Sequence, residues 1–172
     1  APGGGADEAL VRFDPEGTIA LYAAAQSQGQ GHETTFAQIV SNATGIPITR
    51  FVLRSGDGTR VTGNGAIGSR TMLAAGSVFS IAGRDIVEKG RKLAAEALEA
   101  APEDVHFEQG EYRIKGTDLK VGITDLIDRH RGATPHPLDT RSDALIGTTY
   151  PNSCHVCEIE IDPDTGVVQV MK

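Results

Sequence analysis

The chain reads as a single α+β domain: a mixed sheet, a helix after each of two glycine-rich loops, and one long helix in the middle. Three observations predict this. Short β-type runs closed by Pro/Gly turns alternate with helical repeats. Glycine clusters at 26–31 and 56–68 each lead straight into a helical pattern. The stretch from Ser69 to Ala100 is dense in Ala, Leu, Glu and Lys, residues that lose little freedom in a helix.

The elements follow in order. Residues 1–9, opening Ala1-Pro2-Gly3-Gly4-Gly5-Ala6, have neither a basic region nor an apolar one, and are expected to be a linker or a cut end before a domain over 10–172. Val11 to Phe13, then Asp14-Pro15-Glu16-Gly17, then Thr18 to Ala23 predict strand, turn, strand. His32 to Ala43 predicts a helix with Phe36, Ile39 and Val40 on one face, capped at Gly45 and stopped by Pro47. Ile48 to Ser55 predicts a strand. Five glycines between Gly56 and Gly68 predict a loop, and Ser69 to Ala100 a long helix with Gly83 and Gly90 as candidate breaks. Pro102 closes it. Val105–Phe107 with Tyr112–Lys115 reads as a hairpin, Ile123 to His130 as a short helix. Ser153–Asp162 with Val167–Met171 reads as a second hairpin around Pro163-Asp164-Thr165-Gly166. That last run reaches Lys172 with no turn after it, so the chain is expected to be a piece of a longer one.

Composition bounds the function. A chain of 172 residues buries about 70% of its unfolded surface, enough for a real core. Net charge is −7, with no tryptophan and no Lys/Arg stripe, which speaks against nucleic acid and anionic membrane as partners. No apolar run approaches the roughly 18 residues of a membrane span.

Chemistry concentrates in the glycine-rich loops. Gln28-Gly29-Gln30-Gly31 enters a helix at once, presenting backbone N–H groups at the positive end of a helix dipole, where an anion is well held. Gln28 and Gln30 add amides that both donate and accept. A plain tight turn feeding a helix fits these residues as well. Gly68-Ser69-Arg70-Thr71 again leads into a helix, and Arg70 could grip a phosphate in two-pronged fashion; an N-cap serine beside a surface arginine is the alternative. Two such loops favour one shared polyanionic ligand, provided they converge in space. Cys154-His155-Val156-Cys157 lies in a strand pattern, where residues three apart face opposite ways, and no second pair exists, so structural cysteines are expected. His32-Glu33 lacks the second histidine of a zinc helix, since Phe36 stands there. Asp57, Glu103 and Asp104 read as solvated carboxylates, and no Ser-His-Asp, Walker or Rossmann pattern is present.

The run Gln26 to Val40, Gln-Ser-Gln-Gly-Gln-Gly-His-Glu-Thr-Thr-Phe-Ala-Gln-Ile-Val, resembles the pterin-binding segment of molybdenum hydroxylase large subunits. It is most similar to the branch of aerobic carbon monoxide dehydrogenase, within the family of xanthine dehydrogenase and aldehyde oxidase. Gly68-Ser69-Arg70-Thr71 resembles that branch's second cofactor loop, where the last residue is usually serine. Tyr150 to His155 and Glu158 to Gly166 resemble the strand and turn that follow. The resemblance implies molybdenum held by molybdopterin, in bacterial members often as the cytosine dinucleotide. Gln28, Gly29, Gln30, Gly31 and His32 would line the pterin and the metal. Gly68, Ser69, Arg70 and Thr71 would hold the pyrophosphate or nucleotide, with Ser77 a further contact. It also implies a cytoplasmic oxidoreductase acting on a small-molecule substrate. Its partners would be the remainder of the large subunit and iron–sulfur and flavin subunits or domains. The family's catalytic glutamate would lie beyond Lys172, so the piece alone is expected to be folded but inactive and to carry little or no cofactor. Phe79 stands where relatives place a small hydroxyl residue, which would alter that corner of the cofactor contact. Two other readings remain at this point: a stand-alone non-catalytic binding or assembly module of the same fold, and a phosphate-ligand sensor.

Overall fold

The computed structural model describes residues 6–147, 150 and 153–172; residues 1–5 of the expected linker, and Pro151 and Asn152 of the resembling Tyr150–His155 run, lie outside the described residues. The principal sheet has four strands: β1 (Asp7–Phe13), β2 (Ile19–Ala23), β3 (Phe51–Ser55) and β7 (Thr140–Ala144), in the order β3-β2-β1-β7. β1 pairs antiparallel with β2 and β7, while β2 and β3 are parallel, so the sheet is mixed as expected. β1 alternates strictly along its length: Asp7, Ala9, Val11 and Phe13 are buried, and Glu8, Leu10 and Arg12 are half-exposed. Across the pairing, Ala9, Val11 and Phe13 stand opposite Ala23, Leu21 and Ile19, which makes one apolar face.

Two helices cover that face. α1 (His32–Thr44) is the crossover between the parallel strands β2 and β3, and α2 (Thr71–Ala97) lies across β1 and β7. Phe36 of α1 meets Phe79 of α2 at 5.0 Å between ring centroids, and both are fully buried. α2 is continuous. Gly83 and Gly90 do not break it because each faces a close neighbour: a Cβ at 83 would stand 2.7 Å from Ala43 Cβ, and one at 90 would stand 2.0 Å from Tyr112 Oη. Both glycines admit a neighbour that a side chain would exclude.

Beyond α2, β4 (Val105–Glu108), β5 (Glu111–Ile114) and β6 (Lys120–Gly122) form a small antiparallel sheet, followed by α3 (Ile123–Arg129). The buried Tyr112 hydroxyl donates to the Val87 carbonyl at 3.0 Å and ties this sheet to α2; burial pushes its phenol pKa up. A last pair, β8 (Ile159–Ile161) and β9 (Val168–Val170), forms a separate hairpin.

Several boundaries differ from the sequence-based expectation. β1 begins at Asp7, four residues before Val11, so the end of the expected linker is strand. Ile48–Arg50 is a 3-10 turn after Pro47, and only Phe51 onward pairs as strand. The long helix starts at Thr71 and ends at Ala97. The final hairpin pairs from Glu158, with the strand itself over Ile159–Ile161, and not from Ser153.

Candidate functional site

Strand direction brings the two glycine-rich loops together. Because β2 and β3 are parallel, their carboxyl ends, Ala23 and Ser55, lie side by side. β1 runs the other way, which puts its first residue, Asp7, at the same end of the sheet, opposite Ala144 of β7. Each loop leaves this end and enters a helix, the arrangement in which sheets with parallel strands hold ligands. The loops also touch: the Gly56 N–H donates to the Ala23 carbonyl at 2.9 Å, and a Cβ on Gly56 would lie 3.2 Å from Gln26 Cγ.

In the first loop Gln28, Gly29, Gln30 and Gly31 are exposed, and the Gln28 N–H donates to the side-chain carbonyl of Gln30. Gly31, the residue before α1, has φ 76°, a left-handed conformation that disfavours a side chain, and no neighbour lies within 4 Å of where its Cβ would be. The backbone here is open to close approach. His32 behaves differently. It is 4% exposed and stacked on Phe36 with centroids 4.7 Å apart, and among the described residues neither ring nitrogen has a hydrogen-bond partner. Burial lowers its pKa, against a smaller opposing pull from Glu33, so the imidazole is neutral and carries one donor and one acceptor. Leaving a buried polar atom unmet costs about 1–3 kcal/mol.

The two helix ends are not equivalent. No side chain hydrogen-bonds as an N-cap to α1, but the Glu33 carboxylate folds back, held below the usual carboxylate range by its own backbone N–H and then by the Ser27 hydroxyl. The positive end of α1 is thus already met by a negative group. α2 has no acid in its first turn and, among the described residues, no side-chain cap on Arg70, and the left-handed pair Gly68 (φ 59°) and Ser69 (φ 56°) leads into it. Its end is the better place for an anion.

Around α2, Thr71 opens the helix and is half-buried. Ser77 is also half-buried and lines a groove of about 540 Å³ with Ser69, Met72, Ser80 and Ile39. Arg70 does not stand free at the surface. Its Nη2 lies 2.8 Å from Asp7 Oδ2 and donates more weakly to the Ile146 carbonyl at 3.4 Å. Phe79 belongs to the core between the helices rather than to this surface, so its size bears on packing and not on a ligand contact. Cys154 and Cys157 are free and exposed, and the stretch before β8 that carries them is not strand. Among the described residues no group of three His, Cys, Asp or Glu side chains could hold a metal ion.

Asp7 falls within the expected linker over residues 1–9, yet it is the first residue of β1 and a member of the site. The signal was present: the period-2 alternation of Val11 and Phe13 extends back through Ala9 to Asp7, and a carboxylate at an inward position needs partners.

Two glycine loops that bring helix starts to one end of a mixed sheet, beside a buried histidine with unmet nitrogens, define a cofactor-binding α+β domain. The chain belongs to the molybdopterin cofactor-binding domain family, whose model matches residues 1–172. It is 32% identical to the carbon monoxide dehydrogenase large chain of Afipia carboxidovorans over 96% of its own length and 21% of that protein's. It is equally similar, 32% over 96% of this chain and 22% of the relative, to the nicotine 6-hydroxylase large subunit of Paenarthrobacter nicotinovorans. Among solved structures, a Cu,Mo carbon monoxide dehydrogenase superposes with a TM-score of 0.76 at 28% identity, over 96% of this chain and 22% of that one. Quinoline 2-oxidoreductase from Pseudomonas putida 86 superposes with a TM-score of 0.71 at 28% identity, over the same shares. The chain therefore spans about a fifth of the length of the relatives it matches.

Proposed function

We propose that this chain forms one wall of the molybdenum cofactor site of an oxidoreductase of the molybdenum hydroxylase type. The observation that carries the reading is the convergence of both loops at one end of the sheet, beside a buried neutral imidazole whose two nitrogens are unmet. The residues fit the group. A pterin edge both donates and accepts, which suits the amides of Gln28 and Gln30 and the imidazole of His32. Backbone at Gly29 and Gly31 is open enough for a flat ring system to lie close. The start of α2, at Gly68, Ser69, Arg70 and Thr71, would take the phosphate end, in keeping with a first turn that holds no acidic residue; a nucleotide such as cytidine would extend along the groove past Ser77. When bound, the cofactor supplies the redox centre. This chain's own part is binding and orientation: no group on it is assigned as the base.

The relatives' names describe large chains and subunits of larger enzymes, so further subunits belong to the reading. Iron–sulfur and flavin carriers are the partners we propose, with a small molecule as substrate and the cytoplasm as the location. No helix among the described residues is long and apolar enough to cross a membrane.

The test is metal content. Full-length protein isolated from its source should carry close to one molybdenum per polypeptide, and Arg70→Ala should reduce that occupancy more than it slows the occupied sites. Full-length protein without molybdenum would end this reading, and full occupancy in Arg70→Ala would remove that residue from it.

A further inference from the structure

The stretch from Gly56 to Gly68 has no helix or strand of its own, yet its far end must be fixed if Gly68 to Thr71 are to face a ligand. Among the described residues, several of the contacts that fix it converge on one carboxylate. Asp7 is 5% exposed and lies on the helix-covered face of β1. Its Oδ1 accepts the Asn64 backbone N–H at 2.8 Å. Its Oδ2 accepts Arg70 Nη2 at 2.8 Å and Asn64 Nδ2 at 3.4 Å. A Cβ on Gly63 would stand 2.8 Å from Asp7 Oδ1, so the loop backbone passes directly over this side chain. Glu8 secures the preceding residue: its backbone N–H donates to the Thr62 carbonyl at 2.9 Å, and its Oε2 accepts the Thr62 N–H at 2.8 Å.

A buried carboxylate is costly unless it is paired and hydrogen-bonded, and here both oxygens are engaged. We propose that Asp7 is a positioning residue of the cofactor site: through Arg70 and Asn64 it holds the 63–70 segment so that the first turn of α2 faces the ligand. This rests on the cofactor reading given above. Asp7 cannot itself bind an anion, because like charges repel. A bystander carboxylate would, when neutralised, leave an anionic ligand better held, since a negative charge is gone and Arg70 is released. A positioning carboxylate would, when neutralised, leave it worse held. The sign of the effect separates the two.

The experiment uses the full-length protein as wild type, Asp7→Asn (nearly isosteric), Arg70→Gln and the double variant. Molybdenum per polypeptide is measured after extended dialysis, together with amide hydrogen exchange over residues 62–71. Asp7→Asn is expected to lower molybdenum severalfold, about as far as Arg70→Gln, with the double variant no lower than the worse single one. Exchange over 62–71 should accelerate by about tenfold while peptides from β2 stay unchanged. Molybdenum at or above the wild-type level in Asp7→Asn, or unchanged exchange over 62–71, would overturn the proposal and leave the cofactor reading standing. Wild-type protein without molybdenum would remove that reading and this role with it. If Asp7→Asn fails to accumulate folded, exchange over 62–71 in Arg70→Lys and Arg70→Gln decides: lysine keeps a cation for Asp7 to hold and should leave the segment closer to wild-type exchange than glutamine does, and equal acceleration in both would count against the proposal.

Discussion

His136 stacks on Phe13 with centroids 4.8 Å apart and is 4% exposed. Its Nδ1 accepts the Leu138 N–H at 3.1 Å, so the ring proton sits on Nε2, which faces the Ile127 carbonyl at 3.4 Å. Adding a second proton would set two donors against each other, and burial already lowers the pKa below its ordinary value, with Ile127 and Asp139 opposing and His130 assisting. A histidine kept neutral by folding leaves the unfolded chain binding more protons as pH falls. Its stabilisation is therefore complete above about pH 6.5 and is lost as pH drops from there toward the lowered value. The buried His32 adds an effect of the same sign. Urea midpoints should fall between pH 7.5 and 5.5, and His136→Gln should flatten that slope; an unchanged slope would mean that His136 is not the titrating group. Residues of the candidate site were legible to different degrees for a physical reason. Gln28 to Gly31 and Gly68 to Ser69 announce themselves because glycine density and a following helix are local properties. That Arg70 pairs with a residue 63 positions earlier is a long-range fact that no local pattern carries.

At the scale of elements, α2 tests how close packing overrides propensity. Alanine in place of glycine inside a helix ordinarily gains about 1 kcal/mol. At position 90 the added methyl would stand 2.0 Å from Tyr112 Oη, and the Tyr112 hydrogen bond to Val87 would be displaced. Overpacking costs about 1–3 kcal/mol and the lost bond about 1 kcal/mol more, so Gly90→Ala should be destabilising by roughly 1–3 kcal/mol net. Tyr112→Phe, which loses only the bond, should cost less. A stabilised Gly90→Ala, read from denaturant midpoints, would contradict this contact. The helices and the β1–β2 hairpin were readable because their apolar residues recur with a clear period. β7 was not. Its sequence, Thr140-Arg141-Ser142-Asp143-Ala144, has no large apolar residue, yet Thr140 and Ser142 are buried because α2 supplies polar partners: Lys89 Nζ reaches Thr140 Oγ1 at 3.0 Å, and Asp85 accepts the Ser142 hydroxyl at 2.9 Å. A strand held by side-chain hydrogen bonds is invisible to hydrophobic periodicity.

Across the whole molecule, burial is unevenly shared. One core runs through the main sheet, α1, α2, the small sheet and α3, from Val11 and Leu21 to Tyr112, Ile123 and Leu138. The β8–β9 hairpin contributes nothing to it: every described residue from Ser153 to Lys172 is exposed, including Ile159, Ile161, Val168 and Val170. A two-stranded ribbon with no third strand or helix to cover it is marginal in water. Its own bonds are short-range, such as those by which Asp162 Oδ1 accepts the Asp164 and Thr165 N–H groups in the turn. Turn contacts of that kind hold a local shape but bury no apolar area, so they contribute little to the cooperative unfolding of the core. Removing residues 153–172 from the isolated 172-residue chain should therefore leave its unfolding midpoint unchanged, to within about 0.5 kcal/mol. In the intact isolated chain, the amides of Ile159–Ile161 and Val168–Val170 should exchange far faster than those of β1 and β2. A marked loss of stability on truncation, or slow exchange in the hairpin, would show that this ribbon packs on the core after all.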